Sequence, residues 1–292
     1  MHERVELFVD AQAIVGECPV WDAQNDALFW IDVKAPALYR TEAGGGATLT
    51  WPLPSDVGGF ALTADGGSAI VGLRSGLFRL DLNSKALDKL ADPPFDPRTH
   101  RFNEVDCDPA GRLWLGVMFE PEPHVQAEPQ PGAIYSFTPS TGLIAHADYA
   151  FTPNGFAWSL DARAVYIAHS KEGRIEAVEF DPELGALSRR RPFARIEHDL
   201  GVPDGGAVDA EGFYWSAIHG GGVIRRYSPD GRIDRELFLP VKNPTMLAFG
   251  GSKLEHMYLT SASHGRSEKP EGSVFRLSAG VRGRLRPRFR SA

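Results

Sequence analysis

Cysteine and long apolar runs are scarce in this sequence, and both absences narrow the class of protein. The 292 residues include only two cysteines, Cys18 and Cys107, which is too few for a disulfide framework. Both lie in short apolar segments, where we expect reduced thiols in the core. No apolar run approaches the length of a membrane span, and the N-terminus, MHERVELFVDAQ, lacks the apolar region of a secretory signal. We therefore expect a cytoplasmic protein with no membrane partner.

An excess of positive charge and a helical periodicity are also missing. The net charge of -7 argues against a nucleic-acid partner. No long segment repeats its apolar residues at the helical spacing of 3.6, which disfavours an array of helical repeats. The C-terminus is the exception to the acidic balance, and we expect it to be a solvated tail or an edge strand rather than an anion site. Its alternating arginines are Arg282, Arg284, Arg286, Arg288 and Arg290.

One layout of residues recurs along the chain. In its clearest copy, at 202–215, an acid that follows proline precedes a short apolar run, a turn and an aromatic strand. The aromatic strands of successive copies are spaced by roughly 40 to 50 residues, which is typical of a β-propeller. Five more copies, two of them weaker, bring the total to six. They begin at Glu17, Phe60, Asn103, Asn154 and Thr245.

The repeats predict an all-β fold: a six-bladed β-propeller with four antiparallel strands per blade, formed by one domain over residues 1–292. The sixth repeat has no clear fourth strand before the basic tail, whereas the apolar segment 5–9 belongs to no repeat. We predict that this N-terminal strand completes the last blade and closes the ring, because closure removes exposed sheet edges. A closed ring leaves no obvious edge for a partner, so we expect a monomer.

In a propeller the first strand of each blade lies innermost, so the residues that begin these strands converge at one mouth of the channel. Two acids and two amides are costly to bury there unless a cation binds them. Oxygen ligands suit Ca²⁺, Mg²⁺ or Mn²⁺ better than a structural zinc site. Each residue could instead cap a turn, but four polar residues in register favour a site. The six converging residues are Glu17, Phe60, Asn103, Asn154, Asp204 and Thr245.

The second strand of each blade returns to the same mouth, and the loops after it offer further polar groups. Arg101 precedes Asn103 by two residues, which places both side chains on one side of an extended strand. Arg101 could therefore bind a hydroxylated or anionic substrate, or it could pair with Glu104. The spacing assigns no role to the histidines among the loop residues, which are Lys34, Glu120, Glu122, His169, His219 and His264.

The chain resembles the senescence-marker protein / regucalcin / gluconolactonase family of six-bladed propellers over nearly its whole length. The resemblance is carried, in order, by G-E-C-P-V-W at 16–21, R-F-N-E at 101–104, P-N-G-F at 153–156 and P-D-G-G at 203–206. It implies a single divalent metal ion, and calcium, zinc, magnesium, manganese and iron all occur in the family. The residues that match the metal ligands are Glu17, Asn154 and Asp204.

The resemblance also implies an activity, the hydrolysis of a sugar lactone to its aldonic acid. Asp204 matches the general base, and Arg101, Asn103 and Glu104 match contacts to the lactone. The acidic substrate contact falls near Glu120. A dipeptide at 169–170, His-Ser, replaces the acid followed by Ser or Thr that many members carry. Both this departure and the ambiguity around residue 120 affect the substrate pocket rather than the metal ligands, so the preferred lactone is left open.

Two alternatives to a lactonase follow from the same residues. A phosphotriester hydrolase could use a similar metal centre, and a non-enzymatic calcium-binding propeller or scaffold could share the fold. A scaffold, however, has no need for acids and amides at one channel mouth. A serine hydrolase is disfavoured because the sequence contains no G-x-S-x-G motif.

Overall fold

The computed structural model describes residues 5–146, 152–266 and 269–290, which form six antiparallel sheets of four strands each. The first three blades contain, in chain order, β2 (Gly16–Asp22), β3 (Ala27–Asp32), β4 (Ala37–Glu42) and β5 (Thr48–Pro52); β6 (Val57–Leu62), β7 (Ser68–Leu73), β8 (Gly76–Asp81) and β9 (Leu87–Ala91); β10 (His100–Cys107), β11 (Leu113–Phe119), β12 (Ala133–Thr138) and β13 (Gly142–His146).

The other three blades complete the ring, so the predicted six-bladed β-propeller is confirmed. They contain β14 (Pro153–Trp158), β15 (Ala164–His169), β16 (Arg174–Asp181) and β17 (Ala186–Arg195); β18 (Val202–Val208), β19 (Tyr214–His219), β20 (Val223–Tyr227) and β21 (Ile233–Phe238); β22 (Pro244–Gly250), β23 (His256–Ser261), β24 (Val274–Ser278) and β1 (Glu6–Val9).

The sixth blade confirms the predicted ring closure. Its strand order is β22, β23, β24 and then β1, so the N-terminal strand is the outermost strand of the last blade. β1 pairs antiparallel to β24, with Glu6 opposite Arg276 and Leu7 opposite Phe275. The chain continues from β1 of the last blade directly into β2 of the first blade, so the N-terminal segment closes the ring.

The predicted fourth strands match the structure less closely than the others. In blade 4 the sequence predicts this strand over 192–198, whereas β17 starts at Ala186, because the charged segment before Pro192 also pairs with β16. In blade 3 the prediction covers 144–150. Residues 144–146 lie in β13, and the rest of that prediction falls outside the described residues.

The innermost strands β2, β6, β10, β14, β18 and β22 contact one another around the axis. Cys18 on β2 shows how close they are, because its sulfur lies 3.5 Å from the carbonyl oxygen of Phe60 on β6 and 3.8 Å from that of Val105 on β10. Cys18 and Cys107 are both buried and free of disulfides, as predicted. Apolar side chains from neighbouring blades fill the space between the sheets.

A buried aspartate shapes the turn that follows the innermost strand in blades 3 and 5. Asp108 Oδ1 accepts a hydrogen bond from Ala110 N (2.9 Å), while its Oδ2 accepts one from Trp114 Nε1 (3.1 Å). Asp209 makes the corresponding bond to Trp215 Nε1 (2.8 Å). Each carboxylate thus ties the turn to the next strand, which explains why the aspartate and the tryptophan recur together six residues apart.

The C-terminal strap, defined as residues 279–290, lies at the end of the channel where the innermost strands finish. The prediction of a solvated tail or edge strand is wrong for Arg286, whose side chain is only 10% exposed. The strap instead bonds to the turns that follow several innermost strands. No helix within the described residues is long and apolar enough to cross a membrane, and the helical structure there is a 3₁₀ turn at Ser170–Glu172.

Candidate active site at the channel mouth

A break in strand pairing recurs at the start of all six innermost strands. In β2 the register shifts between Glu17 and Val20, and in β14 it shifts between Asn154 and Ala157. The other four innermost strands shift at equivalent places. A β-bulge re-aims the side chains around it. Here the bulges direct the residues that begin these strands towards the channel axis.

Five of the six predicted residues line one cavity of about 480 Å³ at this mouth. Its wall also includes groups from the loops after the second strands, as the sequence predicts. The cavity is partly open to solvent, so a small molecule can reach it. The five strand-start residues are Glu17, Asn103, Asn154, Asp204 and Thr245.

Phe60 is the exception, and its predicted convergence on the channel mouth is wrong. It is 1% exposed and packs in the core against Phe29. The residue in register at the bulge of blade 2 is Gly58, where a Cβ would lie only 2.0 Å from the carbonyl oxygen of Phe102. The close approach of β10 therefore leaves no room for a polar side chain in blade 2.

Glu17 and Asp204 place two carboxyl groups on this cavity, and neither forms a salt bridge with Arg or Lys among the described residues. Burial raises the pKa of Glu17 to about 7. Burial, followed by the charges of Glu17 and Glu104, raises the pKa of Asp204 well above its usual range. A bound cation would favour the ionised form of both groups.

Asn154 links these acids to the neighbouring blades. Its Nδ2 donates to Asp204 Oδ1 (2.7 Å) and to Ser170 Oγ (2.9 Å), while its Oδ1 accepts from Asn103 Nδ2 (2.5 Å). The hydroxyl of Ser170 donates to the carbonyl oxygen of Pro203 (2.7 Å). Because a hydroxyl has one proton, Ser170 can only accept from Asn154. This fixes the amide nitrogen on the Ser170 side and turns the amide oxygen towards Asn103.

A network of charges forms another side of the cavity around Glu120. Its Oε2 accepts from Arg101 Nε (2.8 Å), Arg74 Nη2 (2.9 Å) and Lys34 Nζ. Asp56 accepts from Lys34 Nζ (2.8 Å) and Arg74 Nη2 (2.9 Å). Burial would raise the pKa of Glu120, but the charge and hydrogen bonds of Arg101, with those of Lys34, lower it to about 2. Three cations thus surround two carboxylates.

Arg101 and Asn103 lie together at the wall, as their spacing predicts, and Arg101 Nη1 donates to Asn103 Oδ1 (2.9 Å). Of the two acids near residue 120, Glu120 lines the cavity, whereas Glu122 does not and lies 3.5 Å from His124. Glu120 is therefore the acid that can meet a substrate.

Glu104 does not line this cavity, although the resemblance implies a contact to the lactone. Its φ of 47° places it in the left-handed region at the bulge of β10, which turns its side chain into the channel below the cavity. There its Oε2 accepts from Gly155 N (3.1 Å). Burial raises the pKa of Glu104 to about 8, against the opposing charge of Arg286.

The three histidines separate into two groups. His169 is fully buried and its Nε2 lies 2.9 Å from Glu176 Oε2, so it is not part of the cavity wall. His219 and His264 line the cavity with their Nε2 atoms 3.0 Å apart, and His219 Nδ1 lies 3.7 Å from Asp204 Oδ2. Burial, together with the His264 charge, lowers the pKa of His219 to about 4.

Sequence reasoning missed Arg74, Asp56 and the position of Ser170. A signal for two of them was present, because Arg74 directly follows β7 and Ser170 directly follows β15, just as Glu120 directly follows β11. Aligning the residue after each second strand would have placed all three side chains at the same mouth. Asp56 gives no such signal, since it lies before β6 in a segment without a recurring pattern.

The fold and the cavity at the channel mouth together define the class of protein: a six-bladed propeller with two carboxyl groups and two amides at one end of its channel. The chain belongs to the family described as SMP-30/Gluconolactonase/LRE-like region, whose model matches residues 15–263. The resemblance inferred from the motifs is therefore confirmed.

Individual relatives are similar over almost their whole length. The chain is 34% identical to 6-deoxy-6-sulfogluconolactonase of Pseudomonas putida over 297 residues, 99% of each chain. It is 30% identical to regucalcin of Gallus gallus over 288 residues, 96% of each chain. Among solved structures, a calcium-binding regucalcin from Agrobacterium tumefaciens has a TM-score of 0.91 at 25% identity, covering 99% of this chain and 98% of the other.

Proposed function

We propose that this protein is a metal-dependent lactonase that hydrolyses a sugar lactone to its aldonic acid in the cavity at the channel mouth. One observation carries the proposal. The bulges of three blades bring Glu17, Asn154 and Asp204 to one small cavity that Arg101 and Glu120 also line, and these two side chains can bind hydroxyl groups. The names of relatives that act on sugar lactones support the same substrate class.

The donor set fits a divalent cation. No group of three or more His, Cys, Asp and Glu side chains is placed to hold a metal ion in the described part of the chain. The candidate site instead combines the carboxylates of Glu17 and Asp204 with the amide oxygen of Asn154, a hard oxygen set that suits calcium, magnesium or manganese. When bound there, such an ion would polarise the lactone carbonyl. The solved regucalcin described as calcium-binding supports this choice of ion.

Asp204 is the residue that we assign as general base. Its Oδ1 already accepts from Asn154, so Oδ2 is the atom available to take a proton from water. The water oxygen bonds to the lactone carbonyl carbon, the bond from that carbon to the ring oxygen breaks, and the proton passes to the ring oxygen. The product is the open hydroxy acid. A base held beside the attacked carbon can contribute a factor of about 10² to 10⁴ in rate.

Arg101, Asn103 and Glu120 orient the sugar in this proposal. The Glu120 carboxylate has four acceptor positions and Oε2 is already occupied, whereas Oε1 has only one long contact, 3.4 Å, from Arg101 Nη2. Oε1 can therefore accept a hydrogen bond from a sugar hydroxyl. Lys34 and Lys171 add positive charge to the same cavity, so a lactone that bears an anionic group, as in the name of the Pseudomonas putida relative, belongs in the substrate panel.

The proposal is tested by following acid release from pentonolactones, hexonolactones and a 6-sulfo hexonolactone with the wild type and with Asp204→Asn. We expect turnover of at least one lactone and a loss of about 10² to 10⁴ in kcat for the variant. Bound metal is measured in the same samples, so that loss of the base is distinguished from loss of the ion. Asp161→Asn, at an exposed turn, is the control. Absence of lactone turnover in metal-loaded wild type would contradict the proposal.

A calcium-binding protein without lactonase activity is the second candidate, because several relatives are named regucalcin and one solved structure is described as calcium-binding. The same samples distinguish it from the lactonase. Tight calcium binding at Glu17 and Asp204 without turnover of any lactone would favour the second candidate. A phosphotriester added to the substrate panel tests the alternative hydrolase directly.

A further inference from the structure

The C-terminal strap contacts all six blades at the channel end opposite the cavity. Backbone hydrogen bonds join it to blade 6 (Gly283 N to Leu254 O, 2.8 Å) and to blade 5 (Ala210 N to Arg282 O, 2.9 Å). Further backbone bonds join its last residues to blades 2 and 3. These are Phe289 N to Leu62 O, Ala64 N to Phe289 O and Arg290 N to Gly111 O, at 2.9, 2.9 and 3.0 Å.

Two arginine side chains join the strap to the remaining two blades, 4 and 1. Arg284 Nη1 donates to the carbonyl oxygen of Trp158 in blade 4 (3.4 Å), and Arg288 pairs with Asp22 in blade 1. The strap therefore crosses the far mouth of the channel. It contacts each innermost strand either at its last residue or in the turn that follows. The innermost strands of a propeller surround a central channel, and the strap covers one of its two mouths.

Arg286 is the strap residue that enters the channel. Its guanidinium Nη1 lies 3.7 Å from Asp106 Oδ2, and its Nη2 lies 3.5 Å from the carbonyl oxygen of Gly206. Both charged side chains are about nine-tenths buried, 10% exposed for Arg286 and 8% for Asp106. An isolated buried charge is strongly unfavourable, so the Asp106 carboxylate depends on Arg286, whose positive charge also acts on Glu104 and Glu17.

Arg286 contacts one group on β10, which carries the proposed substrate contact Asn103, and one group on β18, which carries the proposed general base Asp204. Asp106 lies on β10, three residues after Asn103, and Gly206 lies on β18, two residues after Asp204. These strands are separated in the ring by blade 4, so Arg286 connects them across the axis. A shift of one strand against the other would move the substrate contacts relative to the general base.

We propose that the C-terminal strap seals the far mouth of the channel, and that Arg286 is a positioning residue which holds β10 and β18 in register behind the active site. Arg286 does not line the cavity; it contacts Asp106 and the carbonyl oxygen of Gly206. The sealed channel is then a blind pocket, so substrate enters and product leaves by the same mouth. The consequence for metal binding rests on the proposed function, whereas the seal does not.

The test uses Arg286→Met, Asp106→Asn and the double variant, with Arg288→Met as the matched control. Arg286→Met leaves the Asp106 carboxylate buried without its cation, and the double variant removes both charges. Arg288→Met also removes one strap ion pair, but at the rim of blade 1 rather than in the channel. Each full-length protein is examined for native-state alkylation of Cys18 and Cys107 by N-ethylmaleimide and for binding of calcium alone by titration calorimetry.

The wild type and the Arg288→Met control should keep both thiols protected, since both are buried and Cys107 belongs to the apolar cluster that contains Phe289 of the strap. We expect Arg286→Met to be alkylated at least about tenfold faster and to bind calcium about tenfold more weakly, as for loss of a residue that orients metal ligands. The double variant should show losses no larger than those of Arg286→Met, because Asp106 acts through Arg286 and its loss adds nothing once Arg286 is absent.

Two results would overturn the proposal. The first is that Arg286→Met and Arg288→Met are alkylated at the same rate and bind calcium with the same affinity. The other is a double variant whose losses equal the sum of those of Arg286→Met and Asp106→Asn, which would show that the two residues act independently. If no variant and no wild type binds calcium, the metal part of the proposed function fails, and the alkylation rates still decide on the seal.

Discussion

The hydroxyl of Ser170 lies 2.9 Å from the amide nitrogen of Asn154, and its own proton is directed to the carbonyl oxygen of Pro203 at 2.7 Å. A carbonyl can only accept, so the direction of both hydrogen bonds is determined. The Asn154 amide therefore keeps one orientation, with its nitrogen facing Ser170. The orientation of the Asn154 amide, whose oxygen we propose as a metal ligand, is thus set by a serine that follows the second strand of its own blade.

The first prediction concerns this serine. Ser170→Ala should weaken the binding of calcium by about 10 to 100-fold, because the Asn154 amide loses the contact that orients it. Titration calorimetry of the apoprotein measures this without any substrate. Ser261→Ala is a matched control, since that buried hydroxyl also donates to a carbonyl, that of Ser273 at 2.8 Å, but touches no candidate ligand. Equal affinities for the two variants would rule out the orienting role.

A second prediction separates Glu120 from its neighbour Glu122. Glu120→Gln should raise KM for the lactone by about tenfold with a smaller change in kcat, because it removes a charge-assisted hydrogen bond to the sugar and loosens Arg101. Glu122→Gln should leave both constants close to those of the wild type, since Glu122 does not line the cavity. Steady-state kinetics of the two variants make the comparison. Equal effects would mean that the acid which binds the substrate has been misassigned.

The depressed pKa of Glu120 predicts a dependence of stability on pH. Its pKa of about 2 in the folded state lies below the ordinary value of 4.5 for a glutamate. The ionised carboxylate therefore stabilises the fold fully above pH 4.5, and this contribution is lost as the pH falls towards 2. The difference corresponds to about 3 kcal/mol. Denaturant unfolding at several pH values measures the free energy of unfolding of the wild type and of Glu120→Gln. The wild type should be more stable than the variant above pH 4.5, and this difference should disappear as the pH falls towards 2. A difference that does not change with pH would show that the ionised Glu120 carboxylate is not its cause.

Ring closure gives a prediction about stability. Deletion of residues 1–10 removes β1 and leaves the edge of β24 exposed, so the melting temperature should fall by at least about 10 °C. A shorter deletion of residues 1–4, which leaves β1 in place, is the control and should have little effect. Differential scanning calorimetry compares the two. A protein without β1 that is as stable as its parent would show that the ring does not depend on this strand.

The architecture was predictable from the sequence because the repeats are regular. Six copies with one spacing predicted six blades, and the unmatched apolar segment at the N-terminus predicted the closing strand. The strand-start positions also identified Glu17, Asn103, Asn154 and Asp204 as neighbours. These predictions use periodicity alone, which the sequence displays directly. The roles of the residues, the monomeric state and the limits of a single domain over residues 1–292 stay predictions.

What the sequence did not show depends on local backbone geometry and on contacts between distant segments. The bulges turn Glu104 away from the cavity through a positive φ, and a pattern of alternating residues does not reveal such a turn. Gly58 occupies the place expected for Phe60 because β10 approaches too closely for a side chain. The buried position of Arg286 follows from a pairing with Asp106 across 180 residues of sequence, which charge alternation alone does not predict.

The most direct test of the central claim is lactone turnover before chelation, after chelation and after add-back of single divalent ions, with bound metal quantified in each sample. If Glu17, Asn154 and Asp204 hold one catalytic metal ion, turnover disappears as the metal is removed and returns when about one ion per chain is restored. Calcium is the ion expected to restore it first. Full turnover in a sample shown to contain far less than one metal ion per chain would contradict metal-dependent hydrolysis.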